Sequence, residues 1–179
     1  MNFYNLNFSI SPLIDSIDPF LLPKVRHTRL SLNTINPEII ELFSKLSLNI
    51  VLAEVFYSIP HLFSEIHTDN TGGDINKINW IYGGDNCSMN WYSIKTTNNK
   101  KDFVKTPIDT RYTEYHPDEV NIIESAVLTS PSLVNVGIPH NIKNQNEHRW
   151  CISLVYKFKY SSRRPTMVES LNLFKDYIV

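Results

Sequence analysis

From Asn49 to about Phe158 the chain is a succession of short β-branched and aromatic runs cut apart by turn clusters. The runs are Ile50–Tyr57, Lys77–Tyr82, Met89–Lys95, Val120–Leu128, Leu133–Ile138 and Arg149–Phe158. The breaks between them include 69–73, 83–86, 97–100 and 144–146, all rich in Asn, Asp and Gly. Such residues adopt turn geometry at little cost, so the pattern predicts strands joined by loops. In the last run Cys151 and Val155 alternate with Trp150, Ile152, Leu154 and Tyr156, which makes it apolar on both faces. A strand of that kind belongs to a sheet covered on one side by a second sheet and on the other by helices.

Two helices are predicted to supply the covering. Asn36-Pro37-Glu38 offers an N-cap, a proline at the first helical position and an acid in the first turn, ahead of Ile39, Ile40, Phe43 and Leu46 at helical spacing. A helix is expected over Pro37–Leu46. After Pro165, Thr166 stands three residues before Glu169, a reciprocal capping box, and Val168, Leu171, Phe174 and Ile178 form a stripe. The expected architecture is mainly β, a sandwich or squashed barrel of jelly-roll type with helices packed on one sheet. A chain of 179 residues that is 42% hydrophobic suits one domain. We divide it into an N-terminal wrap and helix over 1–48, a β core over 49–160 and a C-terminal helix over 165–178.

The charge balance, 17 Lys+Arg against 18 Asp+Glu, gives no footprint of an extended nucleic-acid binder. No apolar run reaches the ~18 residues of a membrane span, and the N-terminal residues lack the layout of a secretory signal. A cytoplasmic protein is expected. Cys87 and Cys151, without C-x-x-C spacing, are read as reduced thiols.

Candidate chemistry begins with His67-Thr68-Asp69, because residues i and i+2 of a strand project from the same side. Two imidazoles and one carboxylate on one face of an octahedron form the ligand set of mononuclear Fe(II) oxygenases. A second His-x-Asp, His116-Pro117-Asp118, has a proline between its members and follows a turn-like Arg111–Tyr115, so shared projection is not assured. The third ligand is assigned to His140, which ends the run Leu133–Pro139. Nine residues later Arg149 opens the last strand, where a guanidinium can grip both oxygens of a carboxylate. Ser153, at even separation from Arg149, is expected to join that contact. His148, next to Arg149, should face the other way, and His61 is read as structural or as lining the pocket mouth.

With these segments in place, the chain resembles the 2-oxoglutarate and Fe(II)-dependent oxygenase superfamily. It looks closest to small members of phage-like or marine-bacterial character, related in pattern to the aspartyl/asparaginyl and prolyl hydroxylases. The resemblance runs through Ile66–Asp69, Ile78–Tyr82, Met89–Tyr92, Leu133–Asn144 and Arg149–Leu154, about residues 60 to 156. It implies a double-stranded β-helix with Fe(II) on His67, Asp69 and His140 and 2-oxoglutarate anchored by Arg149. It further implies that Asn79 and Tyr92, or Tyr82, touch the cosubstrate, with ascorbate as a reductant. The implied reaction couples decarboxylation of 2-oxoglutarate to succinate with hydroxylation of an amino-acid, peptidyl or other small substrate. Animal prolyl hydroxylases usually carry lysine where Arg149 stands, so the substrate is not read from that branch. Specificity is expected to reside before Gly73, in 98–115 and in the N-terminal wrap. The competing reading is a cupin-like metal isomerase or ligand-binding module. Such proteins commonly use more histidines with a glutamate and need no buried arginine opposite the metal.

Overall fold

The computed structural model describes residues 1–69, 73–95, 103–128 and 131–179. Its strands are β1 (Phe3–Asn5), β2 (His27–Leu30), β3 (Leu48–Ser58), β4 (Ile66–Asp69), β5 (Asn76–Gly83) and β6 (Ser88–Ile94). They continue as β7 (Phe103–Lys105), β8 (Arg111–Tyr115), β9 (Val120–Val127), β10 (Ser132–Asn135), β11 (His140–Lys143) and β12 (Arg149–Phe158). Helix α1 (Pro37–Lys45) precedes β3 and α2 (Met167–Leu173) follows β12. The strands form two six-stranded antiparallel sheets, β1-β10-β5-β12-β3-β2 and β7-β8-β4-β11-β6-β9. The arrangement is mainly β and consistent with a β-sandwich. Among the described residues no helix is long and apolar enough to cross a membrane.

Strand β12 shows how alternation sorts the layers. Trp150, Ile152, Leu154 and Tyr156 pack with Ile39 and Phe43 of α1, with Met167 and Phe174 at the ends of α2, and with Leu6 and Leu13 of the N-terminal wrap. The intervening Arg149, Cys151, Ser153 and Val155 face the space between the sheets. Burying each such Ile, Leu or Phe contributes about 1.5–3 kcal/mol, so the helices seal the first sheet from outside. Asn36 caps α1 by accepting from Glu38 N, and Thr166 and Glu169 form the expected box at α2.

Several sequence expectations need correction. The N-terminal wrap is not wholly irregular, since β1 pairs with β10 and β2 with β3. Arg111–Tyr115 is a strand, not a turn, and the following Pro117–Glu119 is a 3-10 turn. Its N-cap is His116, whose ring accepts from Asp118 N, so Asp118 is not the capping residue. The run from Leu133 to His140 is not one strand: β10 stops at Asn135, and His140 opens β11 in the other sheet. The turn centres expected at 70–72 and 97–100 lie outside the described residues, as do residues 98–102 of the expected specificity segment.

Candidate metal centre and its cavity

His67 and Asp69 project from β4 and His140 from β11, strands that pair with His140 directly opposite His67. Donor atoms of the three side chains all lie within 4.8 Å of one another, and His67 Nε2 is 3.6 Å from Asp69 Oδ1. Both imidazoles are oriented by the backbone two residues upstream. His67 Nδ1 lies 2.9 Å from Glu65 O, and His140 Nδ1 lies 2.9 Å from Ile138 O. A carbonyl can only accept, so Nδ1 carries the proton in each ring and Nε2 keeps its lone pair for a metal. Two neutral imidazoles and a carboxylate at this spacing are a donor set that fits a divalent first-row metal.

The loops hold this geometry tightly. Asp69 N donates to Val136 O at 2.9 Å and Gly73 N to Gly137 O at 3.1 Å, tying the end of β4 to the link between β10 and β11. A Cβ on Gly137 would stand 1.7 Å from Gly73 O, so no other residue fits there without moving the backbone. Asn135 shapes the same link by accepting from Gly137 N through its side chain and from Trp91 Nε1 through its carbonyl.

Electrostatics keep the three side chains ready for a cation. Burial, reinforced by the neighbouring His67, pushes His140 down to about 3, and burial also lowers His67. Burial opposes the charge of Asp69 as well. The Lys77 ammonium, helped by His140 and His67, nonetheless holds that carboxyl well below the usual carboxylate range. Lys77 Nζ lies 2.6 Å from Asp69 Oδ2 and 2.7 Å from Glu54 Oε2. Glu54 Oε1 lies 3.0 Å from His27 Nε2. Sequence reasoning missed Lys77, Glu54 and His27. A usable signal was present: each charged residue stands alone in an apolar strand, and Lys77 is two residues from Asn79 and so shares its face.

The centre opens into a cavity of about 720 Å³ lined by both sheets. Arg149 faces it from β12 and is 4% exposed. Its side chain packs over Gly84, where a Cβ would come within 2.7 Å of Arg149 Cβ and of Cys87 Sγ, and whose φ of +68° independently favours glycine. Among the described residues no carboxylate is in ion-pair contact with Arg149. His140 and Arg149 do not occupy adjacent strands, as expected from sequence, but strands of different sheets. Asn144, four residues past His140, supports both: it donates to Ser58 O, Ile59 O and Glu147 O and accepts from Cys87 Sγ.

The other expected cosubstrate contacts divide. Ser153 (1% exposed) and Asn79 (8% exposed) are opposite one another on β12 and β5 and face the cavity. Ser153 Oγ and Asn79 Oδ1 are buried without a hydrogen-bond partner among the described residues. Arg149 pairs instead with Gly83, four residues from Ser153, or roughly 13 Å of strand. A hydroxyl and a guanidinium so separated converge only on a ligand that reaches both. The free atom of Asn79 is a carbonyl, which calls for a donor, whereas the Ser153 hydroxyl can donate to an anion. Tyr92 does not reach the cavity: its phenol donates to Asn141 Oδ1 at 3.1 Å, in a polar cluster with Asn90. Tyr82 turns to the helix-covered face, edge-on to Phe20.

The remaining histidines stand apart. His148 Nδ1 is 2.6 Å from the Tyr57 hydroxyl, His61 is exposed on a loop and does not line the cavity, and His116 and Asp118 are 70% and 90% exposed.

No family model matches the chain, and no curated protein matches it. Among solved structures it is similar to one described as "X-Ray structure of E. coli ycfD", at 17% identity and a TM-score of 0.36. That likeness covers 71% of this chain and 29% of that one, so the chain spans under a third of that protein's length.

Proposed function

We propose that the protein is an Fe(II)- and 2-oxoglutarate-dependent oxygenase acting on an amino-acid, peptidyl or other small substrate. The observation that carries this reading is one cavity holding both a two-histidine, one-carboxylate cluster and a buried arginine without an acidic partner. A buried guanidinium is costly unless an anion meets it, so Arg149 argues for a carboxylate-bearing ligand in the same space as the metal. A cupin-like isomerase or binding module has no such need.

The strand order supports the same reading. Eight strands, β3 to β6 and β9 to β12, alternate between the sheets in the orders first-eighth-third-sixth and second-seventh-fourth-fifth. That is the order of a double-stranded β-helix, with the His-x-Asp pair on the second strand, His140 on the seventh and Arg149 on the eighth.

In this reading His67 Nε2, Asp69 Oδ1 and His140 Nε2 would hold Fe(II), and Arg149 would bind the far carboxylate of 2-oxoglutarate through paired N–H donors. When bound, the metal and cosubstrate supply oxygen activation coupled to release of CO₂ and succinate. The chain's own part is to orient and exclude. The carbonyls of Glu65 and Ile138 fix the ring tautomers. Ser153 offers a donor between the two ends of the cavity, and apolar Val25, Leu52, Phe56 and Val155 shield it from water.

The test is succinate formation by purified protein supplied with Fe(II), ascorbate, 2-oxoglutarate and air, where slow turnover without a prime substrate is expected. His67→Ala and Asp69→Ala should abolish it. Wild type that forms no succinate, or variants that match wild type, would remove the oxygenase reading.

A further inference from the structure

Lys77 stands on β5 of one sheet and reaches Asp69 on β4 of the other, so its two ion pairs span the sandwich. The two oxygens of Asp69 are not equivalent. Oδ1 is the one 3.6 Å from His67 Nε2, while Oδ2 is engaged by Lys77 Nζ at 2.6 Å. A carboxylate can ligate a metal through one oxygen or through both, and each additional oxygen consumes a position that a facial two-histidine, one-carboxylate site needs open. To offer Oδ2, Asp69 would have to break a short charge-assisted bond between largely buried groups.

We propose that Lys77 is a positioning residue that restricts Asp69 to one-oxygen ligation and so preserves three adjacent open positions. Glu54, held by His27, fixes the Lys77 ammonium against Asp69. The inference rests on the metal-binding reading of the same site and goes beyond it, because it assigns the number of open positions to a residue that touches no metal. Lys77 also places a positive charge against a ligand of a cation. Its removal should therefore strengthen metal binding while reducing the open positions, a combination that simple structural damage does not produce.

The experiment uses Mn(II), an octahedral cation whose bound, exchanging waters are counted by water-proton relaxation. Wild-type protein should bind one Mn(II) carrying three such waters. Because Lys77→Met alone would leave Glu54 buried beside an apolar group, the informative variant is the charge-neutral pair Lys77→Met with Glu54→Gln. Its relaxation enhancement should fall by about one third, from three waters to two, while Mn(II) affinity rises roughly tenfold. Glu54→Gln alone, with Lys77 still on Asp69, should keep the wild-type water count. An unchanged count in the double variant, a fall in its Mn(II) affinity, or a lost water in Glu54→Gln overturns the role of Lys77 and leaves the metal site standing. Failure of wild type to bind Mn(II) overturns both.

Discussion

Arg149 has a cost in the ligand-free protein that is the counterpart of its use. Its guanidinium is buried and lacks an acid among the described residues, so part of the folding free energy goes to keeping it there. Replacing it by Met should leave the thermal midpoint of ligand-free protein unchanged or raised. The same change should weaken 2-oxoglutarate binding by about 2–5 kcal/mol in calorimetry, the scale for breaking a buried charge pair. Metal affinity should be untouched, and equal loss of both would mean that Arg149 merely supports the fold. His140 yields a pH prediction. Its ordinary value of 6.5 falls to about 3 in the folded protein, so below pH 6.5 the unfolded chain takes up a proton that the folded chain refuses. Metal-free protein should therefore lose stability as pH drops from 6.5 toward 3, by up to ~1.4 kcal/mol per pH unit from this residue. Urea unfolding at successive pH values should show a shallower slope in His140→Gln.

At the scale of elements, the site depends on two backbone approaches. Gly137 meets Gly73 where β10 passes to β11, and Gly137→Ala should destabilise the protein by roughly 1–3 kcal/mol and loosen metal binding together, because the displaced backbone carries His140. Thr166→Ala should cost only about 1 kcal/mol, the loss of one cap on α2, without effect on metal binding. The long strands and both helices were legible in the sequence because alternation, turn clusters and caps are local signals. Strands β1, β2, β7 and β11, of three or four residues, were not, because so few residues carry no period and their pairing comes from partners far along the chain. The His-x-Asp pair was legible for the opposite reason, since its geometry is complete within three residues. The contacts of Lys77 with Asp69 and Glu54 were invisible because they form only when the sheets close, and Tyr92 was misread because the register slips between Trp91 and Tyr92 against β9.

For the whole molecule, function is a matter of which residues the two sheets turn toward each other. The first sheet contributes Arg149, Ser153, Asn79 and Lys77, the second His67, Asp69 and His140, and the helices keep the first sheet rigid from outside. Neither sheet alone assembles a site for both a metal and an anion. The most direct measurement is calorimetric titration of 2-oxoglutarate into anaerobic protein with and without Fe(II). The account predicts one molecule bound per chain, dependent on the metal and lost in His67→Ala. Binding of equal strength without metal, or none with it, would contradict the account.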